Sequence, residues 1–162
     1  MHDRSGRVDT DPELLATVRR ILLFLVLLGV LGLAVELLLL EHVESATQLI
    51  PFVALGLGLV AIVWQMLRPS RRSLRVFQGL MLAFVAVGLL GIALHLKGNI
   101  EFERETNPSA RGFALLWGSL LGGVPLLAPA AMAQLGLLGL VFAYRHPVLR
   151  TVTASPQSQE NS

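Results

Sequence analysis

Between Ile21 and Leu40 the chain presents about 20 consecutive side chains, of which only Glu36 is charged. A helix of that length rises roughly 30 Å, which matches the hydrocarbon core of a bilayer. In water such a run would have to be buried on all sides. A chain of 162 residues that is 54% hydrophobic and only 15% charged cannot supply the polar shell for that. Mean hydropathy is +0.67. The expected solvent is therefore lipid, and the length fits one domain. A cleaved signal peptide fits poorly, because its apolar region spans about 7–15 residues and closes on small side chains. This run closes on four leucines and Glu41, so it is read as an uncleaved first span.

Three further apolar runs follow. Ile50–Leu67 and Val76–Leu96 are each long enough for a span, with Trp64 placed as an interfacial anchor near the end of the former. The last, Gly112–Tyr144, would rise about 50 Å as one helix, too long for a simple crossing. It also contains Gly122, Gly123, Pro125 and Pro129. We read a short interfacial helix near Phe113–Leu121, a break, and a fourth span from Leu126 to Tyr144; a single tilted, kinked helix is the rival reading. The fold class is then all-α integral membrane, with four transmembrane helices and a short broken interfacial helix before the fourth. Residues 1–11 form a flexible N-terminal segment, residues 12–147 the four-helix membrane domain (spans about 21–40, 50–67, 76–96 and 126–144), and residues 148–162 a Ser/Thr/Gln-rich disordered tail.

Local signals support these boundaries. Asp11, Pro12 and Glu13 suit a cap, a first helical position and the positive end of the dipole. Ser45 or Thr47 is a candidate cap for the second helix, with Pro51 expected in its first turn. Pro69 and four arginines make a tight basic turn over Arg68–Arg75.

The basic residues are unevenly spread, and that spread orients the chain. Of 13 lysines and arginines, all but Lys97, Arg104 and Arg111 lie in the N-terminal segment, the Arg68–Arg75 turn and the C-terminal segment. The positive-inside rule places both termini in the cytoplasm of a cell whose inner membrane holds the protein. The Glu41–Thr47 turn and the His95–Arg111 segment then share the outer side. The arginines flank apolar runs, so they give no nucleic-acid signature. The absence of cysteine excludes disulfides, thiolate metal sites and cysteine nucleophiles. The halves do not repeat in their polar positions, which argues against an inverted-repeat transporter.

The densest polar stretch is His95–Glu105, HLKGNIEFERE. His95 and Asn99 share a face if the third helix reaches that far. Gly98 makes a helix end plausible there. From Asn99 onward, Ile100 and Phe102 alternate with Glu101, Glu103 and Glu105, as in an extended strand lying on the membrane surface. A divalent-cation reading gathers His95, Glu101, Glu103, Glu36 and His42, with Asn99 as a polar helix-end residue; imidazole plus carboxylate suits zinc, iron or manganese. No HExxH, paired Glu-x-x-His, phosphate loop or nucleophile triad supports a definite enzyme. Two axial histidines for haem would have to be His42 and His95, both near the boundary. Set against these readings, Glu36 near the end of its span is a carboxylate that reaches the interface, His42 is part of a solvated turn, and the loop is an acidic, soluble face. The expected function is a structural or accessory assembly component of the membrane, packing with itself or in a larger complex and presenting an acidic outer loop. The alternative is a divalent-cation transporter or metalloenzyme. A proton carrier centred on Glu36 ranks below both, since one carboxylate is a poor relay across the core.

Overall fold

The computed structural model describes residues 12–40 and 46–149. Every regular element among them is helical: α1 (Pro12–Leu39), α2 (Ala46–Leu67), α3 (Arg71–Thr106), α4 (Phe113–Leu120), α5 (Leu127–Ala143) and a 3-10 turn, Pro147–Leu149. The Asp11 and Ser45 caps, the His42 turn, the N-terminal segment and the tail from Arg150 lie outside the described residues. Three helices, α1, α2 and α3, are long and apolar enough to cross a membrane. α5 is apolar but has 17 residues, a rise of about 25 Å.

The long helices pack in a ring. α1 packs on α2, α2 on α3, α3 on α5, and α5 closes back on α1; the diagonal pairs, α1 with α3 and α2 with α5, meet only through side chains in the core. α4 stands outside this ring, against α3 alone. The filled core lies toward the Arg71 end, where Phe77, Met81 and Phe84 of α3 meet Ile62 of α2, Val26 and Val30 of α1, and Phe142 of α5. Phe77 and Phe142 meet edge to face at 5.3 Å.

That end is fixed by short-range polar chemistry. Ser70 caps α3 with a reciprocal capping box to Ser73, so the helix starts at Arg71, five residues before the apolar run. The Ser73 hydroxyl donates to Gln65 Oε1 at 2.6 Å, and both residues are buried. Gln65 thereby joins α2 to α3, as a polar side chain inside a span is expected to do. Ser73→Ala removes the cap partner and leaves the Gln65 amide oxygen without its donor. We expect a loss of about 1–3 kcal/mol, read as a lower melting temperature in detergent, with Gln65→Leu/Ser73→Ala recovering part of it.

Beyond α5, Arg145 adopts φ 47° and turns the chain into Pro147–Leu149. Arg71 donates to the carbonyls of Val148 (3.3 Å) and Leu149 (3.1 Å), so these two residues belong to the folded body rather than to the tail. The Val148 N–H donates to His146 Nδ1 at 3.3 Å, and the ring packs on Phe142. Burial, and then the nearby Arg19 charge, lower the His146 pKa from 6.5. A lowered histidine pKa means that the unfolded chain binds the proton more readily. The stability that neutral His146 contributes is full above pH 6.5 and is lost as pH falls through the lowered value. Protonation also converts Nδ1 to a donor. Amide exchange at Val148 should accelerate over that window, and His146→Gln should abolish the dependence.

Two expectations fail. The His95–Glu105 segment is not strand: α3 continues through Gly98 to Thr106, which bonds back to the Phe102 carbonyl at 2.9 Å. In a helix Glu101 and Glu105 share the exposed side while Glu103 turns toward α4, so the alternation is compatible with a helix as well. The stop is set by Pro108, which disfavours helical backbone at Asn107 (φ −133°, ψ 75°). Pro51 falls in the second turn of α2, because that helix begins at Ala46. The split of the last apolar stretch is observed, with α4 and α5 as separate helices, so the single kinked helix is excluded.

Candidate functional site

The site is the stripe of α3 that faces the break between α4 and α5. A helix interruption exposes backbone groups, and each must find a partner. Here α3 side chains provide them. Asn99, 1% exposed, donates from Nδ2 to the Val124 carbonyl at 3.0 Å and accepts from the Val124 N–H at Oδ1, also at 3.0 Å. The amide thus pairs with both polar groups of one residue, as a neighbouring strand would. One turn earlier, His95 Nδ1 lies 2.7 Å from the Pro125 carbonyl. A carbonyl only accepts, so Nδ1 carries the proton.

Two glycines make the approach close enough. A Cβ on Gly122 would stand 2.7 Å from Asn99 Cγ, and one on Gly118 would stand 2.8 Å from the Glu103 carboxylate carbon. The Gly118-x-x-x-Gly122 spacing on the α4 side therefore matches Asn99 and Glu103 on α3, four residues apart in the opposite direction. Glu103 also accepts from Asn107 Nδ2 at 3.4 Å. His95, Asn99 and Glu103 form one stripe: His95 and Asn99 clasp the α4–α5 connection, and Glu103 faces Gly118 of α4.

The other candidates lie elsewhere. Glu101 pairs with Lys97 at 3.7 Å, with both side chains well exposed. Glu105 is exposed, and Glu36 is exposed on α1. His42 lies outside the described residues. His95 and Glu103 are separated by about 12 Å of helix rise, far beyond the span of one metal's ligands. Among the described residues no three His, Cys, Asp or Glu side chains come together to hold a metal ion.

The stripe also organises what surrounds it. α4 seats Ser119 and Gly118 against α3 and turns Phe113, Leu116, Trp117, Leu120 and Leu121 outward, all exposed, with Phe113 stacked on Trp117 at 6.1 Å. The last turns of α3 expose Lys97, Glu101, Arg104 and Glu105. The α3–α4 hairpin therefore has an apolar face on one helix and a charged face on the other. Sequence reasoning found His95 and Asn99 on one face but missed their partner, the Val124–Pro125 backbone. The spacing shared by Gly118/Gly122 and Asn99/Glu103 was the available signal. No family model, no curated protein and no solved structure matches the chain.

Proposed function

We propose that the protein is a small multi-pass membrane protein that acts as a structural or accessory assembly component, with the α3–α4 hairpin as its docking element. The observation that carries this reading is the clasp. The buried polar groups of the hairpin are spent on bracing its shape, while Lys97, Glu101, Arg104 and Glu105 remain on the surface. Such a rigid, charged edge beside an apolar helix suits a partner that meets the protein at the membrane surface, either a second copy or a larger complex. In this reading α5 is the fourth span, and α4 lies in the outer interface, where Phe113 and Trp117 sit at headgroup level. Both termini are cytoplasmic and the membrane is the inner one. Arg19 donates to the Arg145 carbonyl at 3.5 Å and Arg71 to Val148 and Leu149, so the basic clusters share one end of the bundle, as positive-inside sorting requires.

The chain has no native cysteine, so single-cysteine labelling is clean. Ser109→Cys should react with an impermeant maleimide in intact cells, and Pro69→Cys only after permeabilisation; the reverse pattern inverts the topology. For function, Glu101→Lys/Glu105→Lys should abolish a crosslinked complex seen with the wild type while leaving the melting temperature unchanged. Metal content should be the same in wild type, His95→Ala and Glu101→Gln. Stoichiometric metal lost in either variant would replace the docking reading with the cation-binding one.

A further inference from the structure

The filled core ends partway along the ring. On α3 the buried residues run from Ser73 to Gly88 and resume only at Asn99; on α2 none of residues 47–54 is buried. Between these levels lies a partly open cavity of about 340 Å³ at the His95 end. All four ring helices line it, including Leu33 and Leu37 of α1, Leu90 and Leu94 of α3, and Met132 of α5. It lies between the four helices, with Leu33, Leu37 and Met132 buried on its inner wall, and opens outward where Leu90 and Leu94 are exposed.

Its chemistry is graded. The deep wall is aliphatic. The polar members, Thr47, Gln48 and His95, gather at one end, at the first turn of α2 and the end of the apolar part of α3. The clasp to Pro125 holds the imidazole at that rim. From Val87 to His95 the cavity extends along about 12 Å of helix rise. At roughly 30 Å³ of liquid volume per water-sized group, it has room for a chain on the order of ten carbons. Length and volume therefore describe the same object. A mostly apolar pocket of this size with a few convergent polar groups is the general form of a small-molecule site. An apolar space in a hydrocarbon surrounding stays dry and loses packing contacts when empty.

We infer that this cavity binds a single-chain amphiphile, its chain between α1, α3 and α5 and its hydrogen-bonding head against Thr47, Gln48 and His95. The inference does not rest on the docking role and stands or falls apart from it. The test uses full-length protein in liposomes with two photoactivatable probes, dodecanoic acid and dodecanol, each bearing a diazirine at the chain end. Labelling should map to peptides carrying Leu33, Leu90 and Met132 and should be suppressed by excess unlabelled probe molecule. Ala128→Phe and Val87→Phe, which fill the cavity from two different helices, should reduce it to background. Leu57→Phe, on an exposed face of α2, should not. The wild-type saturation curve decides even if a filled variant folds poorly. Labelling by both probes that never saturates and spreads over exposed positions such as Leu28, Val53 and Leu82 would mean bulk lipid only and would overturn the site. So would an absence of labelling at the lining.

Discussion

Asn99→Leu should lower stability by about 2–5 kcal/mol, because it strips two hydrogen bonds at once and leaves both the N–H and the carbonyl of Val124 without their partner. The residue is 1% exposed, so solvent cannot easily replace the amide. Leucine keeps the branched skeleton of asparagine but is bulkier, so tighter packing against Gly122 adds to the loss of the two hydrogen bonds. The deficit should be local first: exchange at the Val124 amide should become fast while α3·α5 amides near Phe84 stay protected. Asn99→Asp gives an independent check. A carboxylate still accepts from the Val124 N–H but faces the Val124 carbonyl with no proton to donate. Its cost should shrink at acid pH, where the protonated acid donates. His95→Ala removes the hydrogen bond to the Pro125 carbonyl from a half-buried group and should cost only about 1 kcal/mol. A fall of less than about 0.5 kcal/mol for Asn99→Leu, measured by melting in detergent with Glu105→Gln as the neutral control, would show that the clasp is incidental to the fold.

The parts of this structure that were legible in the sequence are those set by a fixed external length. Bilayer thickness dictates about 20 residues per span, so α1, α2 and the body of α3 could be read from apolar runs. The break after α4 was legible because Gly122, Gly123 and Pro125 interrupt a stretch too long for one crossing. The end of α3 was misread because alternation between Ile100, Phe102 and the glutamates satisfies a strand and a solvated helix alike. The deciding signal was Asn107-Pro108, not Gly98, which has nothing within 4 Å and no strain to mark a helix end. His95 and Asn99 were found as a pair, yet their purpose was hidden, because their partners are backbone atoms, which no side-chain motif records. The cavity was invisible for a related reason. It is a relation among four helices, and Leu90 reads the same in a sequence whether it faces lipid or a space inside the ring.

Gly88→Ala should be, with Gly136→Ala, the most damaging glycine-to-alanine substitution among the described residues. A Cβ on Gly88 would stand 2.6 Å from both the Ala133 nitrogen and the Pro129 carbonyl oxygen. These are backbone atoms of α5, so no rotamer change relieves the clash and the two helices must move apart. Gly136 makes the reciprocal contact, with its added Cβ 2.6 Å from the Met81 carbonyl. The α3·α5 seam is thus held at a separation that only glycine permits. In lipid the hydrophobic effect does not draw helices together, so close van der Waals contact must carry association. Forcing a methyl into such a seam should cost about 3 kcal/mol or more, at the upper end for overpacking. Gly139→Ala should cost less, because the nearest atoms to its added Cβ belong to side chains, Met81 and the Phe77 ring, rather than to the α3 backbone. Gly32, Gly56 and Gly79 have nothing within 4 Å. Alanine there should be neutral or raise stability by about 0.5–1 kcal/mol through helix propensity alone. The order of melting temperatures, Gly79→Ala above wild type, then Gly139→Ala, then Gly136→Ala and Gly88→Ala, separates seam glycines from open ones. If all four variants melted together, the close approach of α3 and α5 would not be what holds the bundle, and the ring packing would have to rest on the aromatic core around Phe77 and Phe142 instead.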